Sequence, residues 1–177
     1  MTTLPYGMRD VKLTPWEGDT LAGTSVDLPN ARTFSFSESE EFETLRGDDR
    51  HVAIRGRGAA VMWDLEAGGI SLEAYAIMAG GEVTTTGVAP ATVTTFRKKV
   101  SDVRSYFKAE GQAISDGGGD FHTVIYKCIA SGDLEGEMTD GAFWLTSGSG
   151  EGLPVDVDGD EGVLYDFVQN ETVTPIA

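Results

Sequence analysis

The side chains with the widest chemical repertoire are few: His51, His122 and a single cysteine, Cys128. A Cys–His pair would make the thiol a nucleophile. Both residues lie in the run 121–130 (FHTVIYKCIA) with the same strand parity. Six residues of strand separate them by roughly 20 Å, too far to meet unless another strand intervenes. Cys128 therefore reads as a core residue, and the histidines as surface or capping residues. One cysteine leaves no internal disulfide. The spacings G-x-S-x-G, H-E-x-x-H, C-x-x-C and the Walker loop do not occur. Gly56-Arg57-Gly58 lacks the third glycine and the following helix of a dinucleotide loop. The reading is that the chain carries no catalytic residue and no cofactor.

The carboxylates are more numerous. Asp156-Val-Asp158-Gly-Asp160-Glu161 has the flavour of a calcium loop, but an EF-hand needs Gly at its sixth position and Glu at its twelfth. Glu161 and Phe167 stand there instead. Asp156, Asp158 and Asp160 remain as an irregular calcium candidate, against a solvated acidic loop. In Leu134-Glu135-Gly136-Glu137-Met138, strand alternation places Glu135 and Glu137 on one face. That face is either an ordinary solvated one or a wall of carboxylates around a cavity. Arg46-Gly47-Asp48 reads as a polar turn. Asn170-Glu171-Thr172 fits a glycosylation sequon, discounted because nothing signals secretion. Trp16, Trp63 and Trp144 have the chemistry to stack on sugars, but Trp63 and Trp144 sit among apolar neighbours and read as core.

The charge balance bounds the partners. In 177 residues, 13 Lys+Arg face 29 Asp+Glu, a formal net charge of -16. That excess excludes groove-reading nucleic-acid binding and docking on anionic lipid, both of which need basic patches. No run approaches the roughly 18 apolar residues of a membrane span, and the start of the chain has no apolar signal segment. From Cys128 onward there are eleven acids and no Lys or Arg, so this segment carries most of the net charge. Five basic residues (Arg97, Lys98, Lys99, Arg104, Lys108) lie together ahead of it. Such asymmetry implies distinct faces.

The elements that must position these groups are mostly strands. Alternating or apolar runs appear at 33–44, 93–100, 106–115, 121–130, 134–138, 142–146 and 163–170. The runs 50–54 and 59–66 flank the turn 55–58, a hairpin signature. The run 121–130 is apolar on both faces and reads as a central strand. One helix is predicted within 68–81: Ser71 caps it, Glu73 suits its positive end, and Gly80-Gly81 stop it. Residues 1–30, with three prolines and scattered apolar positions, read as an arm, and 147–162 as a loop too polar for the core. Together these predict an all-β sandwich or barrel with one short flanking helix, in a single domain over 31–177.

Several long strings carry a resemblance. They are 31–50 (ARTFSFSESEEFETLRGDDR), 63–81 (WDLEAGGISLEAYAIMAGG), 106–116 (YFKAEGQAISD), 132–137 (GDLEGE) and 167–176 (FVQNETVTPI). They resemble the major tail protein, the tail-tube subunit, of long-tailed phages infecting actinobacteria. The resemblance covers roughly residue 27 to the end. It implies a tail-tube β-sandwich whose subunits close into six-membered rings. The rings stack into a tube in the virion tail, assembled in the host cytoplasm, through which duplex DNA passes without tight binding. It also implies a loop at about 44–60, the arm 1–30 and a C-terminal arm at about 147–177 bridging adjacent rings. The expected partners are other copies of the chain, a tape measure protein, a tail terminator and baseplate or distal tail proteins, with no membrane.

On this reading Glu135 and Glu137 line the lumen. Arg50, Arg55, Arg57, Arg97, Lys98, Lys99, Arg104 and Lys108 lie at subunit interfaces. Carboxylates repel phosphate and keep a duplex mobile, where Lys and Arg would hold it by counterion release. The alternatives are another virion structural protein, such as a tail terminator or capsid decoration protein, and a small β-rich ligand-binding domain.

Overall fold

A computed structural model describes residues 4–18, 20–21, 24–135 and 138–176. The chain is all-β with one short helix. Its strands are β1 (Asp10–Glu17), β2 (Thr20–Leu21), β3 (Val26–Asp27), β4 (Ala31–Gly47), β5 (Arg50–Gly68), β6 (Glu82–Thr86) and β7 (Val93–Arg97). They continue with β8 (Phe107–Ile114), β9 (Asp120–Ile129), β10 (Leu145–Gly152), β11 (Val155–Val157), β12 (Asp160–Val163) and β13 (Tyr165–Asn170). The helix α1 (Leu72–Ala79) lies between β5 and β6.

The main sheet runs β2-β1-β8-β9-β10-β5-β4, with β13 on β9 and β3 on β1. The strand β9 is central. It pairs β8 along one side, and on the other it pairs β13 over residues 120–125 and β10 at Ile129 and Cys128. The sheet forks there, and the β10-β5-β4 limb folds back over the β1-β8-β9 limb. The core fills the gap: Val61, Trp63 and Leu65 of β5 pack with Val11 and Leu13 of β1, Phe107 and Ala109 of β8, and Ile125 and Cys128 of β9. The Trp63 and Phe107 rings meet edge-on at 5.5 Å. Each such aromatic removes 150–250 Å² from water, and they dominate the packing energy.

The helix follows its predicted signals. The Ser71 hydroxyl accepts from the Ala74 N–H at 3.2 Å, and Gly80 closes the helix at φ 70. A Cβ at Gly80 would fall 1.9 Å from the Val103 carbonyl oxygen, so close packing as well as φ requires glycine.

Several expectations are corrected. Residues 1–30 do not all form an arm: β1 is an inner strand of the sheet, with Val11 and Leu13 fully buried. Pro15, which argued against a strand, occupies the last pair of the β1–β8 ladder, where a missing donor does least harm. The hairpin turn is not at 55–58. β5 runs through that stretch, and the chain reverses at Asp48-Asp49, both left-handed with φ 50 and 62. Aspartate tolerates that region, which a two-residue hairpin turn needs twice. Gly58, at φ 71, is also left-handed, and the β4–β5 register shifts nearby between Ser39 and Glu41. The expected loop at 44–60 is therefore the outer half of a two-stranded ribbon.

Nor is 147–162 a loop: Leu145–Gly152 is strand β10, and β11 and β12 form a hairpin after it. Thr146, Gly148, Gly150 and Gly152 are its buried face. A Cβ at Gly150 would approach Trp63 Cζ2 to 2.8 Å, and one at Gly148 would approach Met78 Sδ to 2.7 Å. Glycine here makes room for large neighbours, so the strand is buried without being hydrophobic. The predicted strand at 134–138 does not form in the described residues, and at 142–146 only Leu145 and Thr146 are in a strand. Beyond β13, the segment 171–176 turns back over the sheet, and Ile176 is buried.

Candidate functional site

The outward face of the β4-β5-β10 limb has a uniform chemistry. Alternation sends Val61, Trp63 and Leu65 inward and leaves Met62, Asp64 and Glu66 outward. In register, Glu66 lies between Thr33 and Ser147, and Asp64 between Ser35 and Ser149. A column of carboxylates is thus flanked by hydroxyls on both neighbouring strands. The loop after β9 adds Asp133 and Glu135, and the whole encloses a shallow cleft of about 390 Å³. Of the carboxylates, Glu66 has a cation nearby, Arg32 at 3.4 Å, and that pair is too exposed to neutralise the face.

The face is bordered by an edge. β4 pairs β5 on one side, over 17 residues of strand, and ends the sheet order on the other. An unpaired edge of that length is a template for another strand. Beyond residue 40 both strands leave the sandwich as the ribbon. Phe42, Val52 and Ile54 there are 65%, 61% and 64% exposed. Glu41 is opposite Arg57, and Glu43 opposite Arg55.

Among the expected site residues, Glu135 joins the acidic cleft, though from a loop and not a strand, and its backbone carbonyl accepts from the Tyr75 hydroxyl at 3.3 Å. Glu137 lies outside the described residues. Arg50, Arg55 and Arg57 are exposed on the ribbon, and Arg97 and Lys99 are exposed near the β6–β7 hairpin. Three other interface candidates serve their own chain. Lys98 Nζ reaches the Ala79 and Gly80 carbonyls at 2.5 and 3.2 Å, neutralising the negative end of α1. Arg104 donates to the Ala130 and Gly132 carbonyls. Lys108 pairs with Glu110 at 2.8 Å, largely buried.

The calcium candidate does not converge. Asp158 and Gly159 form the left-handed turn of the β11–β12 hairpin, and Asp156 accepts from the Gly162 N–H at 3.0 Å. Among the described residues no three His, Cys, Asp or Glu gather in a group able to hold a metal. Cys128 is buried, and burial pushes its thiol well above the usual range.

Sequence reasoning missed a buried polar cluster. His122 is not a surface residue. Its Nδ1 lies 3.2 Å from Glu110 and its Nε2 3.0 Å from Asp120, all three nearly closed to solvent. Burial pushes the Asp120 carboxyl up, but the Thr174 N–H and the Asn170, Gln112 and His122 side chains outweigh it and hold it at about 2. These groups come from three strands and the terminal segment, so no local spacing announces them. Asp64 and Glu66 were likewise passed over, although the alternation of 61–66 marks them as outward.

No protein-family model matches the chain, and no curated protein matches it. Among the described residues no helix is long and apolar enough to cross a membrane.

Proposed function

We propose that this chain is a structural protein that assembles with copies of itself into rings, and that the rings stack into a hollow tube, the role of a tail-tube subunit in a long-tailed phage virion. The observation that carries the reading is the juxtaposition on one limb of an open 17-residue edge strand and an outward face of carboxylates and hydroxyls. Joining β4 to an edge of the next copy continues the sheet, and closure into a ring leaves no edge exposed. The acidic face of each copy then belongs to one continuous wall. Asp64, Glu66, Asp133 and Glu135 give that wall a charge that repels phosphate, so duplex DNA slides past it.

The ribbon supports the same reading. Its apolar side chains have no sheet of their own to cover them, and its arginines are free to meet acidic surface on another copy. The tape measure, terminator and baseplate partners, and the virion location, follow from the tail-tube role and stand or fall with it.

Sedimentation velocity tests this. Purified chain is expected to form species of several copies, and above them long polymers whose length changes with salt, because much of the contact is between charges. A chain that stays monomeric at all concentrations overturns the proposal. Closed rings that never stack would favour a terminator-like protein instead.

A further inference from the structure

The cluster around His122 contains a proton-counting conflict. Both of its ring nitrogens face carboxylate oxygens, Glu110 Oε1 at 3.2 Å and Asp120 Oδ2 at 3.0 Å. An ionised carboxylate only accepts, and a neutral imidazole donates from one nitrogen only. Two contacts therefore need two protons where a neutral ring brings one. Water is in no position to mediate: the side chains of His122, Glu110 and Asp120 are 7%, 10% and 0% exposed.

The cluster also seats the end of the chain. Asp120 Oδ2 accepts from the Thr174 N–H at 2.8 Å, and its other oxygen accepts from Asn170 at 2.8 Å. Gln112 bridges Asp120 and the Thr174 carbonyl, and Lys12 donates to the Ile176 carbonyl at 2.8 Å.

We propose that Glu110, His122 and Asp120 together hold one proton more in the folded chain than they hold apart at neutral pH, and that this proton keeps the C-terminal segment seated. The surrounding charges agree. β1 places Asp10 and Lys12 opposite Gln112 and Glu110 on the same face, and β8 adds Lys108 beside Glu110. Asp27 of β3 joins this face opposite Lys12 and beside Asp10, so four carboxylates (Asp10, Asp27, Glu110 and Asp120) meet two lysines there, and the extra proton offsets part of that negative excess. On the far side, Asp166 of β13 is engaged by the Tyr126 hydroxyl at 2.6 Å, and Glu171 is exposed at the start of the segment. The proton belongs to the trio and is not assigned to one member, as in any strongly coupled site.

The sign follows from linkage. In the unfolded chain an ordinary histidine is neutral above about pH 6.5 and an ordinary glutamate is ionised, so unfolding there releases the proton. Stability is full below that pH and falls as pH rises.

Chemical unfolding of the whole chain from pH 6 to 9 reads this directly. The unfolding constant of the wild type is expected to rise by up to roughly tenfold per pH unit above pH 6.5. Glu110→Gln puts an amide that can donate to His122 Nδ1 where the carboxylate only accepts, so the ring no longer needs a second proton; its curve is expected to be flat over the same range, with amide exchange at Thr174 following only its intrinsic pH dependence. A wild-type slope no steeper than that of the variant overturns the proposal. If Glu110→Gln does not fold, nitrogen and carbon NMR of the wild type at pH 7.5 decides: a neutral His122 ring beside an ionised Glu110 overturns it, and a proton on both ring nitrogens or on Glu110 upholds it.

Discussion

The two halves of β5 follow one pattern and meet opposite fates. Val61, Trp63 and Leu65 are at most 3% exposed, while Val52 and Ile54, on the same strand, are more than 60% exposed. Both halves alternate, and both pair with β4. The difference is that the inner half has a second limb folded over it and the ribbon has none. Alternation therefore marks a strand with an apolar side, and the rest of the fold decides whether that side is covered. Among the described residues, nothing in the chain's own sandwich covers the ribbon.

Substitutions that separate the two halves sharpen this contrast. The largest effect is expected at Trp63, where Trp63→Ala removes the centre of the core and lowers monomer stability by about 3–5 kcal/mol in chemical unfolding. Next is Gly150→Ala, whose methyl has no room beside Trp63 and Ile129; overpacking of this kind costs about 1–3 kcal/mol. On the ribbon, Phe42→Ser with Ile54→Ser is expected to leave monomer stability within about 0.5 kcal/mol while abolishing polymers in sedimentation. A double variant that destabilises the monomer as Trp63→Ala does would show that the ribbon is packed by its own chain.

Acid provides a further contrast, between the buried cluster and the exposed acidic face. Asp120 is held at about 2, below an ordinary aspartate at 3.8, so its carboxylate stabilises the fold above pH 4 and that contribution is lost as pH falls toward 2. The difference corresponds to about 2 kcal/mol. Asp120→Asn is expected to lose it at all pH values and so to flatten the acid limb of the stability curve. Asp64→Asn, on the open face, is expected to leave monomer stability at neutral pH within about 0.5 kcal/mol.

The elements legible in the sequence are those whose own residues supply the signal. The helix declares itself through Ser71 and Gly80, and β9 through a run of apolar residues long enough to be central. β10 was hidden because its buried face is Thr146 and three glycines, chosen by the bulk of Trp63 and Met78 across the gap. β1 was hidden by Pro15 and by having only two strongly apolar inward residues. The ribbon's strands were legible but its turn was not, since Gly56 and Gly58 outweigh Asp48-Asp49 on composition while φ favours the aspartates' position. For the site, Glu135 was named from an alternation over 134–138 that forms no strand in the described residues, and it reaches the cleft from the loop after β9 instead. Asp64 and Glu66 needed the register with β4 and β10, and the Glu110–His122–Asp120 trio needed tertiary pairing.

Negative-stain electron microscopy of the purified chain, raised through increasing concentration, tests self-assembly into a tube most directly. Hollow tubes of uniform bore, built from stacked rings and absent in the Phe42→Ser/Ile54→Ser double variant, are the expected result. Dispersed single particles at every concentration and salt, alike in wild type and variant, would contradict it.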